Sequence, residues 1–174
     1  YNEYETICEV VRRVEAVDVD KEIIIVDDGS TDGSRDLLKK YVGRDGFKVV
    51  YQSKNMGKGR SLRAGFEKAE GEIIIIQDAD LEYNPKDYPI LLEPILDGSA
   101  DVVYGSRFLG GSHRVLFFWH YISNRLLTTL SNIFTNLNLS DIETGYKVFR
   151  RSVLDFISLK CNRFGFEPEF TSKV

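Results

Sequence analysis

Three short segments of the chain carry residue types that can do chemistry together. The first is Asp27-Asp28-Gly29-Ser30-Thr31-Asp32. Two adjacent carboxylates at a strand exit cannot both face one ligand. One can accept hydrogen bonds from a base or sugar while the other holds the turn, although such a run also serves simply as a turn and helix cap. The second is Asn55-Met56-Gly57-Lys58-Gly59-Arg60. Its glycines let backbone N–H groups approach an anion, a following helix start adds positive potential, and Lys58 and Arg60 can reach phosphate oxygens. It is neither a P-loop nor a dinucleotide fingerprint, and read alone it is also a solvated loop. The third is Gln77-Asp78-Ala79-Asp80-Leu81-Glu82. In extended chain, Asp78, Asp80 and Glu82 share one face, where three carboxylates repel unless a cation joins them. A hard divalent ion, Mg²⁺ or Mn²⁺, bridging to a diphosphate resolves that repulsion. The plainer alternative is an acidic loop ahead of a helix.

The elements around these segments explain why they would meet. The runs Ile23-Ile24-Ile25-Val26 and Ile73-Ile74-Ile75-Ile76 show no alternation, so both faces should be covered, as in a parallel sheet flanked by helices. Strands are expected over 22–26, 47–51, 72–76 and 101–104. Helices are expected over 34–42, 58–69 and 86–96, with Pro85 where a first helical turn tolerates it. The βαβαβαβ order implies right-handed crossovers and an open, mostly parallel α/β sheet with helices on both faces. Each of the three segments then lies at a strand exit on one edge, where ligands of such sheets bind. Beyond Tyr104 the pattern changes. A glycine-rich stretch over 105–114 leads into an amphipathic helix over 116–137, with Ile122, Leu126, Leu130, Ile133 and Leu137 along one stripe. Residues 141–149 read as extended or looped, 151–158 as a short helix, and Phe166 as the start of another. The chain is expected to be one domain over 1–174, with its pattern changing after residue 104.

Composition agrees with a globular domain: 174 residues, 43% hydrophobic and 29% charged. With 23 Lys+Arg against 27 Asp+Glu, the formal net charge is −4, which makes a general nucleic-acid partner a poor expectation. Cys8 and Cys161 have neither metal nor disulfide spacing and read as small buried hydrophobes. His113 and His120 read as loop or helix-surface residues. No run is long enough to span a bilayer. The chain opens at Tyr1 and not at Met, so a strand upstream of it is expected.

The three loops in this order resemble family-2 glycosyltransferases of the GT-A fold. The resemblance rests on Tyr1-Asn2-Glu3, Asp27-Asp28-Gly29-Ser30, Asn55-Met56-Gly57-Lys58-Gly59, Asp78-Ala79-Asp80, Gly105-Ser106-Arg107 and the run from Asp141 to Arg150. Within that family the chain resembles the dolichol-phosphate mannosyltransferase-like and polyprenyl-phosphate glycosyltransferase branch. The resemblance implies an inverting transfer from a UDP- or GDP-linked sugar, with Mg²⁺ or Mn²⁺, to polyprenyl phosphate or another acceptor. Tyr1, Glu3, Asp27 and Asp28 would line the base and ribose pocket, and Lys58, Asp78 and Ala79 the rest of the donor. Asp78, Asp80 and Glu82 would hold the metal. Arg107 would face the acceptor phosphate, with Arg125 and Lys147 on the same side, and Asp141 would be the active-site acid. Relatives place Arg or Lys where His120 and Tyr121 precede Ile122-Ser123, which moves that contact to Arg125 or Arg114. The implied location is the cytoplasmic, inner face of the membrane. The resemblance also implies that 1–104 is the half that binds the nucleotide sugar and 105–174 the acceptor side. Since many relatives carry transmembrane helices beyond this region, either a truncated chain or a peripheral enzyme is expected. Val115-Leu116-Phe117-Phe118-Trp119 reads either as a membrane-surface contact or, more ordinarily, as packing against the core or a second copy of the chain. Two other classes share such loops: a nucleotidyltransferase and a nucleotide-sugar-binding module without catalysis.

Overall fold

The computed structural model describes residues 1–106 and 118–174. Helix α1 (Ile7–Glu15) comes before the first strand and was not expected. Its apolar set Ile7, Val10, Val11 and Val14 has helical spacing, but three of the four are valines, weak helix formers, and charged residues separate them. Packing of that face stabilises the helix.

Strand β1 (Ile23–Asp27) pairs in parallel with β2 (Phe47–Tyr51), with Ile25 opposite Val49. The crossover between them holds α2 (Ser34–Leu38) and a tighter 3₁₀ turn over Lys39–Tyr41. Helix α3 (Lys58–Phe66) leads to β3 (Ile73–Ile75), and α4 (Tyr88–Leu96) to β4 (Val102–Tyr104). Between β3 and β4 runs β5 (Lys147–Arg150), antiparallel to both, so that Phe149 faces Ile74 on one side and Val102 on the other. The α/β class is the expected one, but the described strands form two sheets where one mostly parallel sheet was expected: the parallel pair β1–β2, and β3–β5–β4, organised by an antiparallel strand read from sequence as part of an extended or looped stretch. That strand is short and begins with a lysine, so it offers no apolar period to read. Helices α5 (Phe118–Thr135), α6 (Val153–Phe156) and α7 (Phe166–Thr171) complete the described elements.

Strand β3 bears out the reading that its isoleucines are covered on both faces. Ile73 and Ile75 pack on the cluster of Val10, Val14, Leu91 and Ile95, while Ile74 packs on Phe149, Phe166 and Phe170. Phe149 is the hub of the second cluster, edge-on to Phe66 at 5.7 Å and tilted against Phe170 at 4.9 Å. Each such aromatic removed from water contributes roughly 1.5–3 kcal/mol.

Helix α5 stands where expected, but its apolar stripe is not its buried face. Asn124 and Thr128 are 4% and 2% exposed, whereas Ile133 and Phe134 are 69% and 85% exposed. Trp119, Ile122, Leu126, Leu130 and Leu137 also lie on the open side. Trp119, 74% exposed, is therefore not packed into the core. Arg107, His113, Arg114 and Val115 to Phe117 lie outside the described residues.

Candidate active site

At the exit of β1 both carboxylates are taken up by the chain itself. Asp27 is buried, accepts the amides of Gly29 (3.2 Å) and Ser30 (3.3 Å), and pairs with Arg35 Nε at 2.7 Å. Asp28 accepts the amides of Met56 (2.7 Å) and Gly57 (2.8 Å), one on each carboxylate oxygen. The turn-holding half of the sequence reading is thus met by Asp27. Asp28 does something the sequence did not disclose: it fixes the loop that presents Lys58. Gly29 is required here, because its φ is +75° and a Cβ would fall 2.4 Å from the Lys54 carbonyl carbon. The first residues are laced to the same exit. Asn2 N–H donates to Ser30 Oγ (2.9 Å), Glu3 N–H to Ser34 Oγ (3.0 Å), and Tyr1 is left exposed beside them. The Glu3 carboxylate accepts from Thr6 Oγ1 at 2.8 Å.

Lys58 opens α3 and joins two of the three loops. Its Nζ lies 3.0 Å from Asp78 Oδ2 and 2.9 Å from Glu167 Oε1 of helix α7. Burial works to strip the proton from this ammonium, but Asp78 and Glu167 outweigh it and hold the pKa above the ordinary lysine range. Glu167, which the sequence pattern does not single out, thus joins the Lys58–Asp78 cluster. Only a tertiary contact could disclose that.

The acidic run is arranged differently from the extended-chain expectation. Strand β3 ends at Ile75, and the chain turns before Asp78 reaches Glu82, with Leu81 at φ +61°. Asp80 Oδ1 accepts the Glu82 amide at 2.9 Å. Among the described residues no group of three His, Cys, Asp or Glu side chains is close enough to hold a metal. Asp78, Asp80 and Glu82 therefore do not converge by strand alternation. Asp78 instead sits in a fitted recess: a Cβ on Gly145 would fall 2.2 Å from its Oδ2, and Tyr83 Oη accepts the Gly145 amide at 2.6 Å. Ala79 packs by its methyl against the Ile7, Val11 and Ile25 cluster.

Asp141, assigned by the resemblance as the active-site acid, is buried and accepts from Asn124 Nδ2 at 2.9 Å. Thr128 Oγ1 donates to Asn124 Oδ1 (2.9 Å) and accepts from the Ile142 amide (3.2 Å). These polar contacts from α5 hold the loop that carries Asp141. Neither Asn124 nor Thr128 was singled out from sequence, although two polar residues four apart in an apolar helix were a readable signal. Lys147 is 1% exposed, with its ammonium donating to the Thr144 carbonyl and lying 5.2 Å from the Tyr104 ring centroid. Burial pulls its pKa down to about 8; Glu167 opposes that and Lys58 adds to it. Arg125 is exposed on α5. Arg107 falls outside the described residues.

A family model described as "Glycosyl transferase family 2" matches residues 1–157. The chain belongs to glycosyl transferase family 2. Curated members similar to it include the dodecaprenyl-phosphate galacturonate synthase of Rhizobium johnstonii, 29% identical over the whole chain and 52% of that protein. The undecaprenyl-phosphate 4-deoxy-4-formamido-L-arabinose transferase of Pseudomonas aeruginosa is 33% identical over 97% of the chain and 50% of that protein. The chain thus spans about half the length of the curated relatives it matches. Among solved structures, glucosyl-3-phosphoglycerate synthase of Mycobacterium tuberculosis, crystallised with Mn²⁺, UDP-glucose and phosphoglyceric acid, superimposes with a TM-score of 0.72. That match is 24% identical and covers 96% of this chain and 59% of that one. TarS of S. aureus matches with a TM-score of 0.64 at 22% identity, over 99% of this chain and 52% of that one. These likenesses show the GT-A fold that the family-2 motifs implied.

Proposed function

We propose that this family-2 domain transfers a sugar from a nucleotide diphosphate to a polyprenyl phosphate, with inversion at the anomeric carbon. The observation that carries this reading is the 3.0 Å contact between Lys58 and Asp78, which joins the cation of the phosphate loop to the first acid of Asp78-Ala79-Asp80. The names of the two similar curated proteins both contain a polyprenyl phosphate, which supports the acceptor class.

The donor set fits Mg²⁺ or Mn²⁺. Such ions take one or two protein carboxylates and fill the remaining positions with water and phosphate oxygens. Asp78 and Asp80 would suffice for that without Glu82, and Gly145 leaves room for the Asp78 carboxylate. A bound cation supplies neutralisation of the charge that grows on the departing diphosphate. Lys58 adds a second positive charge to the same oxygens. Tyr1, Glu3 and the β1 exit form the base and ribose side, with Asp27 and Asp28 shaping it by holding its loops.

The transfer is a single displacement. The acceptor oxygen forms its bond to the anomeric carbon as the bond to the diphosphate oxygen breaks and that pair of electrons leaves with the nucleotide. A phosphate acceptor arrives ionised, so it needs orientation and not a base. That suits Asp141, whose carboxylate is buried and bonded to Asn124. Arg107 and Arg125 are the cations assigned to the acceptor phosphate, and Lys147 contributes its field from beneath. The outward apolar face of α5 supports contact with a membrane surface at the cytoplasmic face. No Asp or Glu occurs between Asp101 and Asp141, so an anionic surface meets no acidic side chain in that stretch. No described helix is long and apolar enough to cross a membrane.

A thermal-shift panel of UDP, GDP and CDP with and without Mn²⁺ tests the donor site. The expected result is a rise in Tm with one diphosphate that depends on Mn²⁺ and is lost in Asp80→Ala. No rise with any of the three, in protein shown to be folded, sinks the reading. Formation of a glycolipid from undecaprenyl phosphate and the matching nucleotide sugar then tests the acceptor.

A further inference from the structure

The last helix of the chain reaches into the donor site. Backbone at 161–162 lies so close to the glycines flanking Lys58 that a Cβ on Gly57 would fall 2.5 Å from the Asn162 carbonyl oxygen. One on Gly59 would fall 2.3 Å from that of Cys161. The Arg60 amide donates to the Asn162 carbonyl (3.0 Å), and the Arg63 guanidinium to the Cys161 carbonyl (2.6 Å) and the Asn162 side-chain oxygen (2.5 Å). Glu169 ties α7 to this segment. It accepts the amides of Lys160 (2.9 Å) and Cys161 (2.7 Å) and the Lys173 ammonium (2.6 Å). The segment and the phosphate loop are thereby one packed unit. From it Glu167, itself buried, places a carboxylate 2.9 Å from Lys58 Nζ.

We propose that Glu167 is a positioning residue that keeps the Lys58 ammonium on the donor site while a divalent cation takes Asp78. This rests on the reading above, in which Asp78 is a metal ligand and Lys58 meets the diphosphate, and it deepens that reading. An ammonium shared between two carboxylates keeps one anchor when a cation claims the other. With Asp78 as its sole anchor, the same ammonium would sit on the metal ligand and compete with the cation for it. Gly57 and Gly59 allow the close approach of 161–162, which brings α7 near enough for Glu167 to act.

The test is Mn²⁺ binding without nucleotide, read from the electron paramagnetic resonance signal of free Mn²⁺. Four proteins are compared: unmodified, Glu167→Gln, Lys58→Met and the double variant. Glu167→Gln is expected to weaken Mn²⁺ binding about tenfold when Lys58 is present and less than about threefold in the Lys58→Met background, a coupling ordinary for contacting charges. Equal weakening in both backgrounds, or none in either, overturns the proposal, because a merely structural role would not depend on Lys58. If Glu167→Gln does not fold, Glu167→Asp keeps the charge and withdraws the carboxylate by one methylene. It is then compared in the same two backgrounds, with an expected weakening of about threefold that disappears with Lys58. Unmodified protein that binds neither Mn²⁺ nor UDP nor GDP overturns the reading of the donor site and this inference with it. Unmodified protein that binds them while the Glu167 variants behave the same overturns the inference alone.

Discussion

Helices α1 and α5 are both amphipathic, and they face opposite ways. Helix α1 turns Ile7, Val10, Val11 and Val14 into the core beside β1 and β3 and leaves its Glu9–Arg12 and Glu9–Arg13 pairs at the surface. Helix α5 turns Asn124 and Thr128 inward and leaves Leu126, Ile133 and Phe134 outside. The difference follows from what each helix packs on. Helix α1 lies on isoleucines of β1 and β3, so apolar burial positions it. The buried side of α5 meets Asp141 and the backbone of the loop carrying it, groups that require hydrogen bonds once they leave water. Two polar residues on α5 provide them, and the apolar remainder is left for another surface. Around β1 and β3, then, apolar burial places the elements, and hydrogen bonds such as those of Asp28 hold the loops between them. At α5 a polar network places the helix itself, and its apolar side is turned outward.

The sharpest way to break this comparison is at the donor site. Asp80→Ala is expected to lower transfer by about 100- to 1000-fold with the fold intact, measured as glycolipid formed per enzyme alongside a far-ultraviolet circular dichroism melt. A comparable loss from Phe134→Gln would mean that the outward face of α5 takes part in chemistry. On α1, Val11→Asn puts an unpartnered amide into an apolar cluster and is expected to cost about 3 kcal/mol in a denaturant titration. On α5, Asn124→Ala removes a hydrogen bond from buried Asp141 and is expected to cost about 1–3 kcal/mol. A cost near zero would mean that the polar face does not hold the helix.

The buried Lys147 gives the acceptor half a pH signature in metal-free protein. Its folded pKa of about 8 lies below the ordinary 10.5, so above pH 8 the unfolded chain holds more protons than the folded one. Stability therefore gains from this group as pH rises from about 8 toward 10. Tyr104, raised by burial to about 12, together with the raised Tyr88 and Tyr146, works the other way once the unfolded tyrosines ionise near pH 10. Lys147→Met is expected to flatten the gain between 8 and 10, as read from melts across that range. The smallest effect is expected for Phe134→Gln, within about 0.5 kcal/mol of the unmodified protein in stability. Its readout is reduced retention on vesicles containing anionic lipid, which a second copy of the chain covering α5 would not produce.

Local chemistry made the donor half legible. Unbroken isoleucine runs marked buried strands, glycines marked the turns at their exits, and Asp78, Asp80 and Lys58 stood where those strands deliver them. The family resemblance stood on the same residues. The acceptor half was legible as a helix and a motif, but not in its orientation. Periodicity reports that a helix has two faces; it does not say which face the rest of the chain will meet. Three further matters were decided only by the tertiary structure. The chain folds β5 between β3 and β4, where Lys147, assigned by the resemblance to the acceptor side, becomes fully buried. Asp28 holds the Lys58 loop across 28 residues of sequence. Glu167 reaches Lys58 from the far end of the chain. Each depends on contacts between distant segments, and a local pattern of residue types carries no information about which distant segment will supply the partner.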